Sequence, residues 1–369
     1  MKQLGELISA YDHTALLEDA FTIPASWYTN PEIFQLELHA VFGRTWQAMG
    51  RTDQVTSPGD YVTAQVGNEP VLAVRGAGGS LNGFFNVCRH HAAAVAMEPC
   101  GRAQSFRCPY HGWTYGLDGQ LKGAPEFNEV RNFDRAKNGL VPVRVDTWEQ
   151  FLFVALDPAT PSLSKFLGGL AEVVIPLNLE NLRFYKRRVY MLNCNWKVFV
   201  DNYLDGGYHV PHLHKGLNSV LEYKQYTIEN GERYSLQSSP MVHSGEDDSV
   251  ASTRRGERAY YLWLYPNFMI NAYKGVMDTN LVVPVGVDRT QVIFDFYFDD
   301  LSPERAAKNA ESVAVSDKIQ DEDVRICESV QRGLNSRAYG AGRLSVRRES
   351  GEHLFHRLLA QDLKSTPLF

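Results

Sequence analysis

Two short blocks, Cys88-Arg89-His90 and Cys108-Pro109-Tyr110-His111, constrain this chain more than any other feature. They spell Cys-x-His, seventeen intervening residues, then Cys-x-x-His. Two thiolates and two imidazoles suit a [2Fe–2S] cluster in which one iron takes Cys and the other takes His. His ligation lifts the reduction potential above that of an all-Cys cluster, into roughly −150 to +300 mV. Structural zinc is the competing use of such ligands. The run Cys-Pro-Tyr-His-Gly-Trp on a strand-rich background favours the cluster. His91 follows His90 directly; its spacing excludes it as a ligand and leaves it a hydrogen-bonding role.

The flanking pattern says what holds these blocks. Asn30-Pro31-Glu32 is a helix start, with Asn as cap, Pro at the first position and an acid in the first turn. Ile33, Leu36, Leu38, Val41 and Phe42 give that helix an apolar face. From about Trp46 the chain changes to short alternating runs. Tyr61–Val66, Val71–Val74, Leu81–Asn86, Trp113–Tyr115 and Phe151–Val154 are predicted strands, and Asp118-Gly119 is a hairpin-turn signal. Both ligand blocks thus fall on loops between strands. Beyond Pro161 the content is mixed. Asn195–His214 starts as helix, Leu262–Tyr265, Asn280–Val285 and Val292–Phe298 read as strands, and Pro303–Arg332 is a strong helix. The pattern predicts an α+β chain: a small all-β cluster domain over 44–160, inserted into a larger domain built from 1–43 and 161–369.

Composition excludes several classes. Basic and acidic side chains number 37 and 43, for a net charge of −6, with no Lys/Arg-rich run. Nucleic acid and anionic membranes are therefore not expected partners. No stretch reaches the ~20 apolar residues needed to span a bilayer, and no targeting pattern marks the N-terminus. A cytoplasmic location is expected. Five cysteines, thinly spread, argue against a disulfide framework; Cys194 and Cys327 read as buried thiols. The acidic run at 246–248 reads as a solvated loop.

A second constellation follows at His209-Val210-Pro211-His212-Leu213-His214. Two imidazoles and one carboxylate on one face of an iron leave positions open for O2 and substrate. Residues five apart do not share a helical face, so Pro211 is expected to break the helix and return His214 to His209. His212 competes with either histidine. The carboxylate comes from the long helix. Ile319, Ile326, Cys327 and Val330 form a predicted apolar stripe, and Asp323 lies in it, four from both Ile319 and Cys327. A carboxylate there is costly unless paired or metal-bound; Asp321 is its competitor, and Glu322 falls on another face. Asp205, four before His209, can bond that imidazole on one side and a cluster histidine on the other, which would make it the electron bridge between the centres. Asp201 and Asn202 are expected to cap or bond within their own helix.

Taken together these residues resemble the α subunits of Rieske non-haem iron oxygenases, and within them the choline monooxygenase-like branch. The resemblance covers nearly the whole chain. Asn195–Phe199, Asp201–Pro211, Tyr265–Asn271, Met277–Leu281, Glu322–Val324 and Cys327–Leu334 stand close to that branch's signatures. It implies a helix-grip, START-like catalytic domain whose antiparallel sheet is flanked by helices. It also implies a homotrimer, with the cluster of one subunit near the iron of its neighbour. Electrons would come from NAD(P)H through a separate flavin/iron–sulfur reductase. There are two departures. The bridging Asp of the arene-dioxygenase branch lies three before the first His, where this chain has Gly206. The extra Cys of cytochrome-complex Rieske domains is replaced by Ala93, which fits a low-potential, cytosolic cluster.

The implied reaction is monooxygenation of a quaternary ammonium compound, first of all choline to betaine aldehyde hydrate. N-demethylation of glycine betaine, carnitine or stachydrine with formaldehyde release is the alternative, as is aromatic-ring hydroxylation. A plain electron-transfer Rieske protein is the non-enzyme reading; it leaves His209, His214 and Asp323 unexplained. Such a substrate is held by aromatic faces, and Tyr203, Tyr208, Tyr260, Trp263, Tyr265, Phe268 and Tyr273 are the candidates.

Overall fold

The computed structural model describes residues 2–242 and 248–367; acidic residues 246 and 247 lie outside them. The chain divides into two compact units, Phe42–Phe166 and the combination of Met1–Val41 with Leu167–Phe369. Among the described residues no helix is long and apolar enough to cross a membrane.

The Phe42–Phe166 unit is mostly strand and loop around its core, with 3-10 turns at Thr52–Gln54 and Arg135–Asn138 and a short helix starting at Leu163. Seven antiparallel strands run in the order Gln47–Arg51, Phe151–Ala155, Pro142–Trp148, Leu81–Phe85, Glu69–Arg75, Asp60–Val66, Cys100–Arg102. Three shorter strands, Phe106–Arg107, Thr114–Tyr115 and Leu121–Gly123, form a second sheet. The predicted Asp118-Gly119 turn joins the last two, with Gly119 at φ +75°. Leu72, Val74, Phe84, Phe106, Trp113, Tyr115 and Leu121 close a core that also takes in Cys88 and Cys108.

The larger unit is mixed helix and antiparallel sheet, as the fold class requires. Its seven strands run Arg183–Leu192, Arg289–Phe298, Val276–Gly286, Phe268–Tyr273, Arg258–Leu264, Tyr234–Pro240, Thr227–Asn230. Side chains alternate across a strand, so register decides which residues stand in one row. Gln237 faces Tyr261, Tyr261 faces Asn271, Asn271 faces Asp278 and Asp278 faces Phe296. One face of the sheet therefore presents a row of aromatic and polar groups.

Two helices complete this unit's centre. Trp196–Leu204 is capped by Asn195, whose side chain accepts from Lys197 N. Ala306–Leu334 continues from a short 3-10 turn at Pro303–Arg305. At the N-terminus, Asn30 caps Pro31–Glu37 as expected, accepting from Glu32 N and Ile33 N. The long helix corrects one expectation. Ile326 and Val330 are exposed, and its buried side is largely polar: Ser312, Ser316, Gln320, Cys327 and Gln331. Of these, Ser316 and Gln320 line a cavity, together with Ile319 and Asp323 of the same helix.

Candidate metal centres and substrate cavity

The two cluster loops share one backbone design. Cys88 N donates to Ala93 O and Ala92 N to Cys88 O; Cys108 N donates to Trp113 O and Gly112 N to Cys108 O. Each turn closes on a left-handed residue, Ala92 at φ +62° and Gly112 at φ +74°. The repetition presents both Cys side chains inward and both His side chains outward. Cys88 and Cys108 are buried, whereas His111 is exposed and His90 half-buried. The His90 and His111 ring centroids lie 4.6 Å apart. His90 stacks on Trp113 at 4.9 Å with 3° between planes. Its Nδ1 is buried without a hydrogen-bond partner. An orphaned ring nitrogen on one loop and a free, buried thiol on each of the two fit a cluster ligand set. His91 stands against the pair, 4.1 Å from the His90 ring. Sequence reasoning missed Tyr115, whose hydroxyl contacts Cys88 Sγ at 3.3 Å and accepts from Arg89 N at 3.0 Å. Only its place on a strand two residues beyond Trp113 signalled it.

In the larger unit the structure brings His209, His214 and Asp323 together, while His212 is exposed. Pro211 acts otherwise than expected: it sits in the first turn of a new short helix, Val210–Leu213, and starts it. That single turn carries His214 round to His209, ring centroids 4.9 Å apart. His214 Nε2 lies 3.1 Å from Asp323 Oδ1, and His209 Nε2 4.0 Å from it. The ligand atoms of all three side chains lie within 4.8 Å of one another, close enough for one ion to take all three.

Each imidazole is oriented through its other nitrogen. Asp205 Oδ2 meets His209 Nδ1 at 2.6 Å and also accepts His209 N, while Oδ1 accepts Tyr208 N. Glu322 Oε2 meets His214 Nδ1 at 2.7 Å. Glu322 was expected on another face; its longer side chain reaches round the helix to this ring. Asn202 Nδ2 donates to Asp323 Oδ1 at 2.8 Å, so Asn202 does not merely bond within its helix. Asp201 likewise leaves its helix to bond Tyr28 and His356. Gly206 is at φ +67°, and a Cβ there would stand 2.1 Å from Arg348 O. A side chain at 206 is therefore excluded, and the carboxylate that meets His209 stands one residue earlier, at Asp205.

Beside the triad lies a cavity of about 100 Å³. Tyr203 and Tyr273 line it, with Tyr226, Tyr261, Phe199 and Phe294, which sequence reasoning missed. Of the other expected aromatics, Trp263, Tyr265 and Phe268 pack in the core, Tyr208 is exposed and Tyr260 borders a separate groove. Burial pushes the phenols of Tyr203, Tyr226, Tyr261 and Tyr273 up, so all four are neutral at physiological pH. Asp278, buried on the sheet floor, accepts from Asn271 and Asn280. Burial raises its carboxyl; nearby Arg254 and the two amides act against that rise.

A cluster unit and, in the other unit, an iron-type triad over an antiparallel sheet define the class of terminal oxygenases with a Rieske centre. The comparisons agree. A family model described as the Ring hydroxylating alpha subunit (catalytic domain) matches residues 179–365, and one described as the Rieske [2Fe-2S] domain matches 45–134. The chain belongs to the Rieske ring-hydroxylating oxygenase α-subunit family, whose members are enzymes carrying a [2Fe–2S] cluster and a mononuclear iron. It is 40% identical to the chloroplastic choline monooxygenase of Arabidopsis thaliana over 99% of this chain and 88% of that protein. It is 33% identical to the carnitine monooxygenase oxygenase subunit of Escherichia coli (strain K12), covering 94% and 95%. A solved quaternary ammonium Rieske monooxygenase, described as giving insight into carnitine oxidation and inter-subunit electron transfer, superposes with TM-score 0.85. It is 29% identical, covering 94% of this chain and 96% of that one.

Proposed function

We propose that this chain inserts one oxygen atom into a C–H bond of a small quaternary ammonium compound. The carrying observation is that one cavity joins the His209, His214 and Asp323 donors to four tyrosine rings and the buried Asp278. In this reading Cys88, His90, Cys108 and His111 hold the cluster, and His209, His214 and Asp323 hold the iron. When bound, these groups supply one-electron transfer and O2 activation, for the net change R–H + O2 + 2 e⁻ + 2 H⁺ → R–OH + H2O.

The chain's own residues do the rest. Tyrosine faces attract a trimethylammonium group, worth ~0.5–2 kcal/mol per ring, where no hydrogen bond is possible. Asp278 supplies the opposite charge. Asp205 and Glu322 hold the two imidazoles with Nε2 turned to the metal, and Asn202 orients Asp323. Asp205 is also the electron bridge, meeting a cluster histidine of the adjacent subunit in a homotrimer. The relative described for inter-subunit electron transfer supports this assembly. A flavin/iron–sulfur reductase brings the electrons from NAD(P)H. The cluster domain spans 44–160, and 1–43 with 161–369 form the catalytic domain. Cys100, Cys194 and Cys327, unpaired and outside the cluster, support a reducing compartment, the cytoplasm.

Oxidation of the alcohol carbon of choline gives a hydrate that loses water to betaine aldehyde. Oxidation of an N-methyl carbon gives a hemiaminal that collapses to amine and formaldehyde. Coupled NADH and O2 consumption with a purified reductase tests the reading on choline, glycine betaine, carnitine, stachydrine and simple arenes. Coupling to at least one quaternary ammonium compound is expected; coupling to arenes alone sinks it.

A further inference from the structure

Gln320 has no part in the chemistry above, yet it lines the cavity beside the triad. It stands three residues before Asp323 on the long helix, so the two share a face about one turn apart. It is only 2% exposed, and its Nε2 is buried without a hydrogen-bond partner. A buried amide donor left unmade is costly, and folded proteins keep few of them.

The other polar groups around the cavity are committed. Tyr203 donates to Asn271, Tyr261 meets Tyr273, and Asn202 holds Asp323. Arg254 is the other lining side chain with an unpartnered buried nitrogen, but its two terminal nitrogens are fixed on Ser312 and Ser316. Gln320 is not tethered in this way. The last torsion of a Gln side chain is broad and roughly two-fold, so the amide can turn either its donor or its acceptor to the cavity. An occupant of the cavity is what can complete it.

A neutral amide matches a hydroxyl, which also both donates and accepts, and has nothing to offer a methyl group. The cavity thus has two unlike walls. Tyr261 and Tyr273 stand on the sheet, and Gln320 and Asp323 stand on the helix.

We propose that Gln320 hydrogen-bonds a hydroxyl of the substrate and so turns the carbon bearing that hydroxyl toward the His209, His214 and Asp323 donors. This rests on the quaternary ammonium reading and adds to it the residue that orients the bound molecule. The ammonium end and its methyl groups stay with the tyrosine faces. The net change is the one written above, with R–H the C–H bond of the hydroxyl-bearing carbon.

Calorimetric titration of the cluster- and iron-loaded protein with choline and with ethyltrimethylammonium tests this without turnover. The second cation is choline with hydrogen in place of the hydroxyl. Choline is expected to bind ~10-fold tighter. Gln320→Met keeps the length of the side chain and removes the amide. It should bind both cations equally, at the wild-type affinity for ethyltrimethylammonium, and Gln320→Leu should do the same if the first variant fails to fold. With reductase supplied, the wild type should convert choline to betaine aldehyde with little formaldehyde. Mainly formaldehyde, equal binding of the two cations by the wild type, or a choline preference that survives loss of the amide overturns the proposal. Equal binding leaves the quaternary ammonium reading standing; binding of neither cation removes both.

Discussion

The Asp205 carboxylate reaches His209 Nδ1 at 2.6 Å, and the same oxygen accepts the backbone N–H of His209. One side chain therefore fixes both the ring and the turn that carries it. With Nδ1 committed, Nε2 is the nitrogen that faces Asp323.

Asp205→Asn keeps the shape of this contact and deletes the charge. If Asp205 is the electron bridge, iron and cluster content stay normal while turnover falls ~10–100-fold. Stopped-flow oxidation of the pre-reduced cluster, with substrate and O2 present, should slow by the same factor. An unchanged rate at full metal loading would remove Asp205 from the electron path.

Glu322 does for His214 what Asp205 does for His209. Glu322→Ala leaves Nδ1 without its acceptor and should weaken iron binding ~10–100-fold, with Glu322→Gln recovering most of the loss. Competition with a chromophoric chelator measures it. The cluster's rhombic EPR signal should not change, because Glu322 belongs to the other unit.

These two carboxylates show where sequence reading reaches and where it stops. Asp205 was legible from its spacing four before His209, although the pair forms in the turn that follows the helix Trp196–Leu204 rather than on a helical face. Glu322 was not, because helical phase placed its Cα correctly off the Asp323 face but said nothing of a flexible side chain's reach. The cavity shows the same limit. Tyr261, Asn271 and Asp278 meet only through the register of three strands, and register is a long-range property. Expecting Trp263 and Tyr265 near the substrate failed for that reason: both pack instead against Phe355 of the helix Ser350–Ser365, an element the sequence reading passed over. The strands around the cluster were legible because each is a short alternating run between turn signals.

Tyr115 offers a test at the cluster. Burial first, then the Cys88 sulfur, hold its phenol protonated, so its O–H is available to donate to Cys88 Sγ. A donor to a ligating sulfur stabilises the reduced, more negative cluster. Tyr115→Phe should lower the reduction potential by ~40 mV, the one-electron equivalent of a ~1 kcal/mol hydrogen bond. An EPR-monitored redox titration reads the shift. A potential unchanged within error would show that this hydroxyl does not tune the cluster.

Lys197 and Glu37 form an ion pair at 2.7 Å with both side chains fully buried. Burial raises the Glu37 carboxyl and lowers the Lys197 amine, and each charge opposes the other's shift. Trp196 Nε1 adds a hydrogen bond to the second Glu37 oxygen at 2.8 Å. The pair ties the helix Trp196–Leu204, which carries Asn202 and Tyr203, to the N-terminal helix Pro31–Glu37. Lys197→Met would strand a buried carboxylate and should cost ~3–5 kcal/mol in chemical denaturation. Adding Glu37→Gln removes the stranded charge and should return much of that stability. If the single variant lost under ~1 kcal/mol, the pair would not be what anchors the helix. The run Asn195-Trp196-Lys197 would then need another explanation for its place beside the metal-site turn.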